Sequence, residues 1–528
     1  MYRLYSVFVA LLFVCCKDRA NQDLDKVFRY NESANLTSLD PAFARTQAEI
    51  WVANQLFNTL VQLDDSLQVR PDLAKSWVIS DDGLRYLFTL RDDVYFHDNE
   101  VFGGKKRKLV SHDVLYSLQR LQDSKVASSG AWILREVKQM KAVNDTLFQI
   151  ELHKPFPAFL GLLSMKYASV IPHEGFNDGR DFRKNPIGTG PFAFKIWKEN
   201  VKLVLRKNPS YFEQDEQGYR LPYLEAVAIT FLPDKQSSFL NFVQNKTDFI
   251  SGLDSSYKDE IIDNEGKLRP KYTDDIQMYR GAYLNTEYLG FRPQSIDDPL
   301  HDKRIRKALN YGFDRQEMVL YLRNNMGIPA HQGFVPEGLL GRYPQGFRYD
   351  INLAKSLVEQ YKKEKNTQQI NLTLSTNSSY LDIAEYLQRQ WQKIGIEVAI
   401  DIMPNAALRQ GMATGKVSFF RGSWIADYPD AQNYLSLFYS QNKAPNGPNY
   451  THFENSDFDS LYEQSFYEVD SQKRMALYIQ MDSIIIENAP VIPLFYDELV
   501  RFAHKNTLGI TPNPLNLLNL KKVKKQPL

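Results

Sequence analysis

Residues 371–402 read NLTLSTNSSYLDIAEYLQRQWQKIGIEVAIDI, and this stretch decides the fold class of the chain. Asn371–Thr376 and residues 396–402 have the composition of two strands. Between them, the apolar residues of 381–394 recur at helical spacing, and Gly395 suits the end of that helix. A strand, a helix and a strand in about 30 residues predict a right-handed crossover between two parallel strands of an α/β sheet.

The rest of the chain predicts further lobes around this unit. A chain of 528 residues is long enough for two or three lobes. Helical spacing near Asp302 extends the expected α/β lobe to about residues 281–484, and a more β-rich region precedes it, with a helix over residues 49–60. The sequence has neither an internal repeat nor a long flexible linker, so we expect several crossings between lobes, as at a hinge.

The N-terminus has the pattern of an export signal. Arg3 precedes the apolar run 7–14, which is shorter than the roughly 20 residues that a membrane-spanning helix needs. The run ends in Cys15-Cys16. An export signal that ends in cysteine resembles a bacterial lipoprotein signal, which implies a signal peptide over residues 1–16 and a lipid on Cys16, with Cys15 as the alternative residue. An ordinary cleaved signal remains the other interpretation.

Composition excludes several classes of function. The 64 Lys and Arg residues are balanced by 63 Asp and Glu residues, so there is no basic field for nucleic acid. Both cysteines lie in the signal, so the exported body has no disulfide, thiolate metal site or cysteine nucleophile. The eight histidines form no closely spaced pair and no G-x-S-x-G occurs, so we expect no metal site, no cofactor and no catalytic set.

Residues 421–431, RGSWIADYPDA, have the side chains needed to bind a small zwitterion. Arg421 suits a carboxylate, Asp427 suits an ammonium group, and Trp424 suits an apolar wall. Each residue also has a structural interpretation: Arg421 as half of an internal salt bridge, Trp424 as core, and Asp427 as the cap of the turn that follows it.

Nine short motifs resemble those of the family 5 extracytoplasmic solute-binding proteins, the oligopeptide- and dipeptide-binding receptors of ABC importers. Each motif is weak alone, but their order and spacing extend over nearly the whole chain after the signal. They are SLDP (38–41), PDLAKSW (71–77), VYFHD (94–98), DVLYSLQR (113–120), NPIGTGPF (185–192), NPSYF (208–212), RIRKALNY (304–311), WIADYPDA (424–431) and APVIPLFY (489–496).

The resemblance implies a periplasmic-binding-protein type II clamshell, with two lobes and an extra inserted domain. The ligand of such a protein is enclosed between domains I and III. The implied ranges are 26–64, 181–280 and 485–528 for the discontinuous domain I, 65–180 for domain II, and 281–484 for domain III.

The resemblance also implies roles for individual residues. Asp427 matches an aspartate that pairs with the α-amino group of a peptide, Arg421 matches an arginine at the peptide carboxylate, and Trp424 matches a tryptophan of the pocket wall. Arg45 aligns with an acidic residue of one peptide receptor, and Trp132 lies near the place of its tyrosine, so we expect a differently shaped pocket. The candidate ligand-binding residues are Asp427, Arg421, Trp424, Trp132, Arg45 and Tyr496.

The function implied by the resemblance is that of a non-catalytic receptor. It would capture peptides and deliver them to the permease subunits of an ABC transporter, as a monomer anchored by lipid to the periplasmic or extracellular face of a bacterial membrane. An oligosaccharide or metal chelate in place of the peptide, and a hydrolase on the same scaffold, are the alternatives.

Overall fold

The structure is a computed structural model that describes residues 26–254 and 256–526. The expected signal peptide over residues 1–16, with Cys15 and Cys16, lies outside the described residues. Within the described ranges, the longest helices are too short or too polar to cross a membrane.

The described residues form 19 strands, 13 α-helices and 9 short 3-10 helices. The strands are β1 Val27–Glu32, β2 Val61–Leu63, β3 Val69–Pro71, β4 Ala74–Ile79, β5 Arg85–Leu90, β6 Val137–Asn144, β7 Leu147–Leu152, β8 Phe192–Lys198, β9 Lys202–Lys207, β10 Ala226–Phe231, β11 Phe249–Ser251, β12 Ile276–Phe291, β13 Ile328–Pro329, β14 Asn371–Thr376, β15 Glu397–Ile402, β16 Phe419–Ile425, β17 Val491–His504, β18 Thr507–Leu508 and β19 Lys524–Lys525. The α-helices are α1 Gln47–Leu56, α2 Ser111–Gln122, α3 Phe159–Leu163, α4 Lys235–Val243, α5 Lys258–Ile261, α6 Lys303–Tyr311, α7 Arg315–Leu322, α8 Ile351–Lys365, α9 Leu381–Gln392, α10 Asn405–Thr414, α11 Ala431–Leu435, α12 Ser456–Tyr467 and α13 Ser471–Asn488. The 3-10 helices are Pro41–Phe43, Glu100–Phe102, Ala131–Leu134, Lys166–Ala168, His173–Gly179, Pro270–Tyr272, Pro299–His301, Ser378–Tyr380 and Ser440–Asn442.

One sheet of 11 strands extends through the molecule, in the order β15-β14-β16-β12-β17-β11-β1-β10-β9-β8, with β13 added to β17. The long antiparallel strands β12 and β17 lie at its centre and connect its two halves. Their pairing shifts register between Ala282 and Thr286, where the sheet passes from one half to the other. The chain therefore crosses between the halves within continuous strands, as the lack of a linker predicted.

The strand-helix-strand prediction for residues 371–402 is confirmed. β14 and β15 are parallel neighbours with Asn371 opposite Glu397, and α9 joins them. Gly395 has a left-handed φ of +82°, and its N–H donates to the carbonyl of Gln392 at 3.0 Å, so glycine ends this helix as predicted.

The helix predicted over residues 49–60 ends earlier than expected, since α1 is Gln47–Leu56. Phe57 is extended, and the carbonyl of Leu56 accepts the N–H of Gly190 at 2.9 Å. A Cβ on Gly188 would lie 2.0 Å from the same carbonyl oxygen, so glycine is required where the two chain segments touch. A contact with a distant segment decided this boundary.

The buried side chains define two lobes. The first lobe is the part of the molecule whose core is the largest cluster of buried apolar side chains, drawn mainly from residues 28–249 and 503–523. The second lobe is the part whose cores are two clusters drawn from residues 284–495. A separate antiparallel sheet, β4-β5-β7-β6, belongs to the first lobe and falls within the range predicted for domain II. The domain boundaries themselves stay a prediction.

Candidate functional site

A cavity of about 440 Å³, which we call the cleft cavity, lies between the two lobes. Residues 44–72, 164–167 and 513–521 of the first lobe contribute most of its lining, and residues 425–428 contribute the wall from the second lobe. Tyr428 of that wall packs into the core of the first lobe. The lining is rich in side-chain amides, charged groups and tyrosines, and the described lining residues include neither histidine nor cysteine. The cavity thus offers groups for binding.

Asp427 lines the cleft cavity directly after β16. Its side chain is exposed to the cavity, and no lysine, arginine or histidine nitrogen of the described chain lies within 4.0 Å of its carboxylate. The surrounding protein displaces water and raises the pKa of this carboxyl, while a hydrogen bond from Asn433 acts in the opposite direction. The carboxylate has protein on several sides and no cation beside it.

The helix that follows the turn after Asp427 is capped by Asp430. Asp430 accepts the N–H of Gln432 at 2.9 Å and thereby caps α11. No backbone N–H of the described residues donates to the Asp427 carboxylate, so its side chain does not cap this turn.

Arg45 and Tyr167 line the cleft cavity with Asp427. Burial raises the pKa of the Tyr167 hydroxyl and the hydrogen bond with Ser129 lowers it. Asp427 raises this pKa further, and Arg45 lowers it. Arg45 is exposed and follows the 3-10 helix Pro41–Phe43, whose Asp40 caps it and pairs with Arg120 at 3.0 Å. An anchored turn thus presents Arg45 to the cavity.

Arg421 is placed differently from the other candidates. Its guanidinium forms an ion pair with Glu287 of β12 and lies 3.6 Å from the centroid of the Tyr380 ring. Arg421 lines neither of the two cavities that Asp427 lines. The salt-bridge interpretation describes its observed contacts, and a contact between Arg421 and a ligand stays a prediction.

Trp424 and Trp132 line a second cavity of about 590 Å³, which we call the aromatic cavity. Trp424 donates its indole N–H to Asn433 at 2.9 Å and packs partly on the core of the second lobe. Trp132 belongs to the first lobe, and its ring centroid lies 6.5 Å from that of Tyr428. Asp427 lines both cavities, so it lies where they adjoin.

Tyr496 lies away from these residues. It is buried in β17, and its hydroxyl donates to the carbonyl of Gly333 at 2.6 Å. Tyr496 lines neither the cleft cavity nor the aromatic cavity. The structure therefore brings together Asp427, Arg45, Trp132 and Trp424. Arg421 lines a third cavity, of about 410 Å³, together with Trp424, and Tyr496 lines none of the three.

Sequence reasoning missed a set of buried charges in the cleft cavity, formed by Asp72, Lys166 and Lys521. Burial lowers the pKa of Lys166 to about 8 and raises that of Asp72 to about 6. Asp72 belongs to the PDLAKSW motif, which by itself indicates only the family resemblance. No pattern in the sequence indicates that residues 72, 166 and 521 converge.

A possible metal-ligand group lies elsewhere in the first lobe, formed by Asp113, His173 and Glu174. Arg107 already pairs with both of its carboxylates, with nitrogen-oxygen distances of 2.7 Å. The two carboxylates that a metal ion would need are thus already paired with the Arg107 guanidinium.

The chain is similar to known proteins over most of its length. Residues 68–446 match the family model "Bacterial extracellular solute-binding proteins, family 5 Middle". The dipeptide-binding protein DppE of Bacillus subtilis (strain 168) is 24% identical over 534 residues, covering 96% of this chain and 93% of that protein. The probable deoxycholate-binding periplasmic protein YgiS of Escherichia coli (strain K12) is 26% identical over 506 residues, covering 90% and 89%.

Solved structures confirm the two-lobed clamshell fold. HbpA2 from Haemophilus parasuis superposes with a TM-score of 0.82 at 23% identity, covering 95% of this chain and 100% of that one. The periplasmic binding protein DppA from Helicobacter pylori, in complex with the peptide STSA, superposes with a TM-score of 0.74 at 24% identity, covering 95% of this chain and 98% of that one. The family model matches well over half of the chain, and the chain therefore belongs to family 5 of the bacterial extracellular solute-binding proteins.

Proposed function

We propose that the protein captures peptides in the cleft cavity and delivers them to the permease of an ABC importer. The observation that carries this proposal is Asp427, a carboxylate in an interlobe cavity with no cation within 4.0 Å among the described residues. The α-ammonium group of a peptide in this cavity would supply the cation that the described chain does not place beside this carboxylate. The relative that is named a dipeptide-binding protein and the structure that holds the peptide STSA support the ligand class.

Ligand binding would favour closure of the lobes. Asp427 belongs to the second lobe, whereas the amides of Asn54 and Asn519 line the same cavity from the first lobe. A peptide that contacts both walls binds the closed state better than the open state, and this difference shifts the population. Backbone hydrogen bonds to such amides hold peptides with little regard to their side chains. Micromolar affinity requires about −8 kcal/mol.

We also propose where the receptor is anchored and how its domains are organised. Its family is extracellular, and the apolar run 7–14 before Cys16 supports a lipid anchor on the periplasmic or extracellular face of the membrane. We propose that it acts as a monomer, with the ranges 26–64, 181–280 and 485–528 as domain I, 65–180 as domain II, and 281–484 as domain III. Mass spectrometry of the mature protein tests the anchor, since Cys16→Ala should remove the lipid and Cys15→Ala should leave it.

A binding screen with two aspartate variants tests the function. Thermal shift and calorimetry would compare di- to pentapeptides, their N-acetylated forms, oligosaccharides and nickel chelates. Asp427→Asn keeps the shape of the side chain and removes its charge, so peptide affinity should fall at least about tenfold. Asp274→Asn, at an exposed residue outside both cavities, is the matched control. Undiminished peptide affinity in Asp427→Asn would contradict the anchor, and turnover of a ligand would contradict the receptor.

A further inference from the structure

Lys166 is the most deeply buried cation that lines the cleft cavity. It begins the 3-10 helix Lys166–Ala168, and only 8% of the residue is exposed. The N–H of Val170 donates to the carbonyl of Asn58 at 3.0 Å, which ties this turn to the segment after α1. The backbone around Lys166 is therefore held against the wall of the cavity.

The ammonium group of Lys166 has no acceptor among the described residues. No oxygen of that part of the chain lies within hydrogen-bond distance of its Nζ, and no carboxylate lies within 4.0 Å. An ammonium group has three donors, and those of Lys166 are not paired within the described residues. The free donors of Lys166 thus face a cavity large enough for a ligand.

The neighbouring charges are engaged elsewhere. Lys521 donates to Gln62 at 2.9 Å and pairs with Glu213 at 2.8 Å. Asp72 accepts from the side chain of Asn58 at 2.8 Å and from the N–H of Thr59 at 3.1 Å. These contacts satisfy Lys521 and much of Asp72, so Lys166 is the one buried lysine of this described cluster that keeps free donors.

Lys166 and Asp427 belong to separate groups within one cavity. Burial lowers the pKa of Lys166, the neighbouring Asp72 and Glu213 raise it, and Lys521 lowers it. The side chain of Tyr167, the next residue, is instead influenced by Asp427 and Arg45. The cavity thus offers the Asp427 carboxylate, which has no ion-pair partner among the described residues, and the Lys166 ammonium, which has no hydrogen-bond acceptor there.

We propose that Lys166 binds the terminal carboxylate of the same ligand whose ammonium group pairs with Asp427, so that the substrate class is short peptides with both termini free. This inference rests on the proposed function. Arg421, the candidate for the carboxylate from the sequence, is paired with Glu287 outside the cleft cavity. Arg45 also lines the cavity, but it is exposed, and an exposed ion pair discriminates less than a buried one.

Calorimetry at pH 7 with peptide pairs tests this assignment. Each di- and tripeptide is supplied as the free acid and as its C-terminal amide. Wild-type protein should bind the acid about tenfold or more tightly than the amide. Lys166→Met should weaken binding of the acid by a similar factor and remove the discrimination. Lys141→Met, at an exposed lysine of β6 outside the cavity, should change neither quantity.

The outcomes separate this inference from the proposed function. If wild-type protein binds the free-acid and amide forms of a peptide equally, peptides are its ligands, but Lys166 does not bind their terminal carboxylate. If Lys166→Met still prefers the free acid over the amide while Arg45→Met does not, then Arg45 binds the terminal carboxylate and the assignment to Lys166 is wrong. If neither form of any peptide binds wild-type protein, the proposed function fails and the inference fails with it. The wild-type comparison stands even if Lys166→Met does not fold.

Discussion

Arg421 and Glu287 form an ion pair across adjacent strands of the large sheet. Leu289 of β12 is the register partner of Arg421, so Glu287 lies two residues away on the neighbouring strand. The side chain of Glu287 is 2% exposed, and it also accepts hydrogen bonds from Tyr380 and Asn285, each at 3.1 Å. A buried carboxylate with this set of donors holds the guanidinium in the sheet.

Breaking this pair from either side should be costly. Glu287→Gln or Arg421→Met leaves one buried charge without its partner, so each should lower the free energy of unfolding by about 3 kcal/mol. The double variant should cost less than the sum of the two, because it leaves no isolated charge. Urea denaturation of the four proteins measures the coupling. Additive costs would show that the pair does not stabilise the fold.

Peptide binding should weaken on acidification. The pKa of Asp427 is raised by its enclosure, so the carboxylate loses its charge at a higher pH than an ordinary aspartate. A neutral carboxyl cannot pair with an ammonium group, so affinity should fall about tenfold for each pH unit below this pKa. Calorimetry between pH 4 and 7 measures the dependence. An N-acetylated peptide is the control, and the same acid dependence for that peptide would contradict the role of Asp427.

Asp482 should make the fold less stable as the pH rises. It is completely buried, Oδ1 accepts the N–H of Phe334 at 2.7 Å, and Oδ2 has no partner. Burial raises its pKa to about 7, so the folded state holds the proton more tightly than the unfolded state. The stabilisation of the folded state by this tightly held proton is complete below about pH 4, and it is lost as the pH rises to about 7.

Asp482→Asn should therefore flatten the pH dependence of stability. Between pH 5 and 8 the variant should lose about 2 kcal/mol less than wild-type protein, since it has no proton to release. Chemical denaturation across this pH range measures the difference. Other buried acids titrate in both proteins, so their effects on the free energy of unfolding cancel in the difference between the two. Parallel curves for the two proteins would mean that Asp482 does not titrate in this range.

A side chain at Gly188 should disrupt the junction with α1. Its Cβ would lie 2.0 Å from the backbone oxygen of Leu56, which cannot move aside as a side chain could. We expect Gly188→Ala to cost about 3 kcal/mol or more. Gly341→Ala is the matched control, because a Cβ there meets nothing within 4 Å and the backbone is not left-handed. Equal thermal stability of the two variants would refute the close contact.

The sequence predicted those features that local physics controls. The crossover of residues 371–402 follows from periodicity and from Gly395, both of which act within a few turns of the chain. The family follows from the order of short motifs. Asp427 was the candidate anchor from the sequence, and it does line the interlobe cavity, together with Arg45.

Only the tertiary structure decided which charges are free to meet a ligand. Arg421 and Glu287 are 134 residues apart, and nothing in the pattern of either segment indicates the other. Lys166 and Asp427 line one cavity only because α1, the 3-10 helix after α3 and the end of β16 pack together. Residue types are a property of the sequence, whereas the pairing and solvation of a charge depend on neighbours that long-range packing supplies.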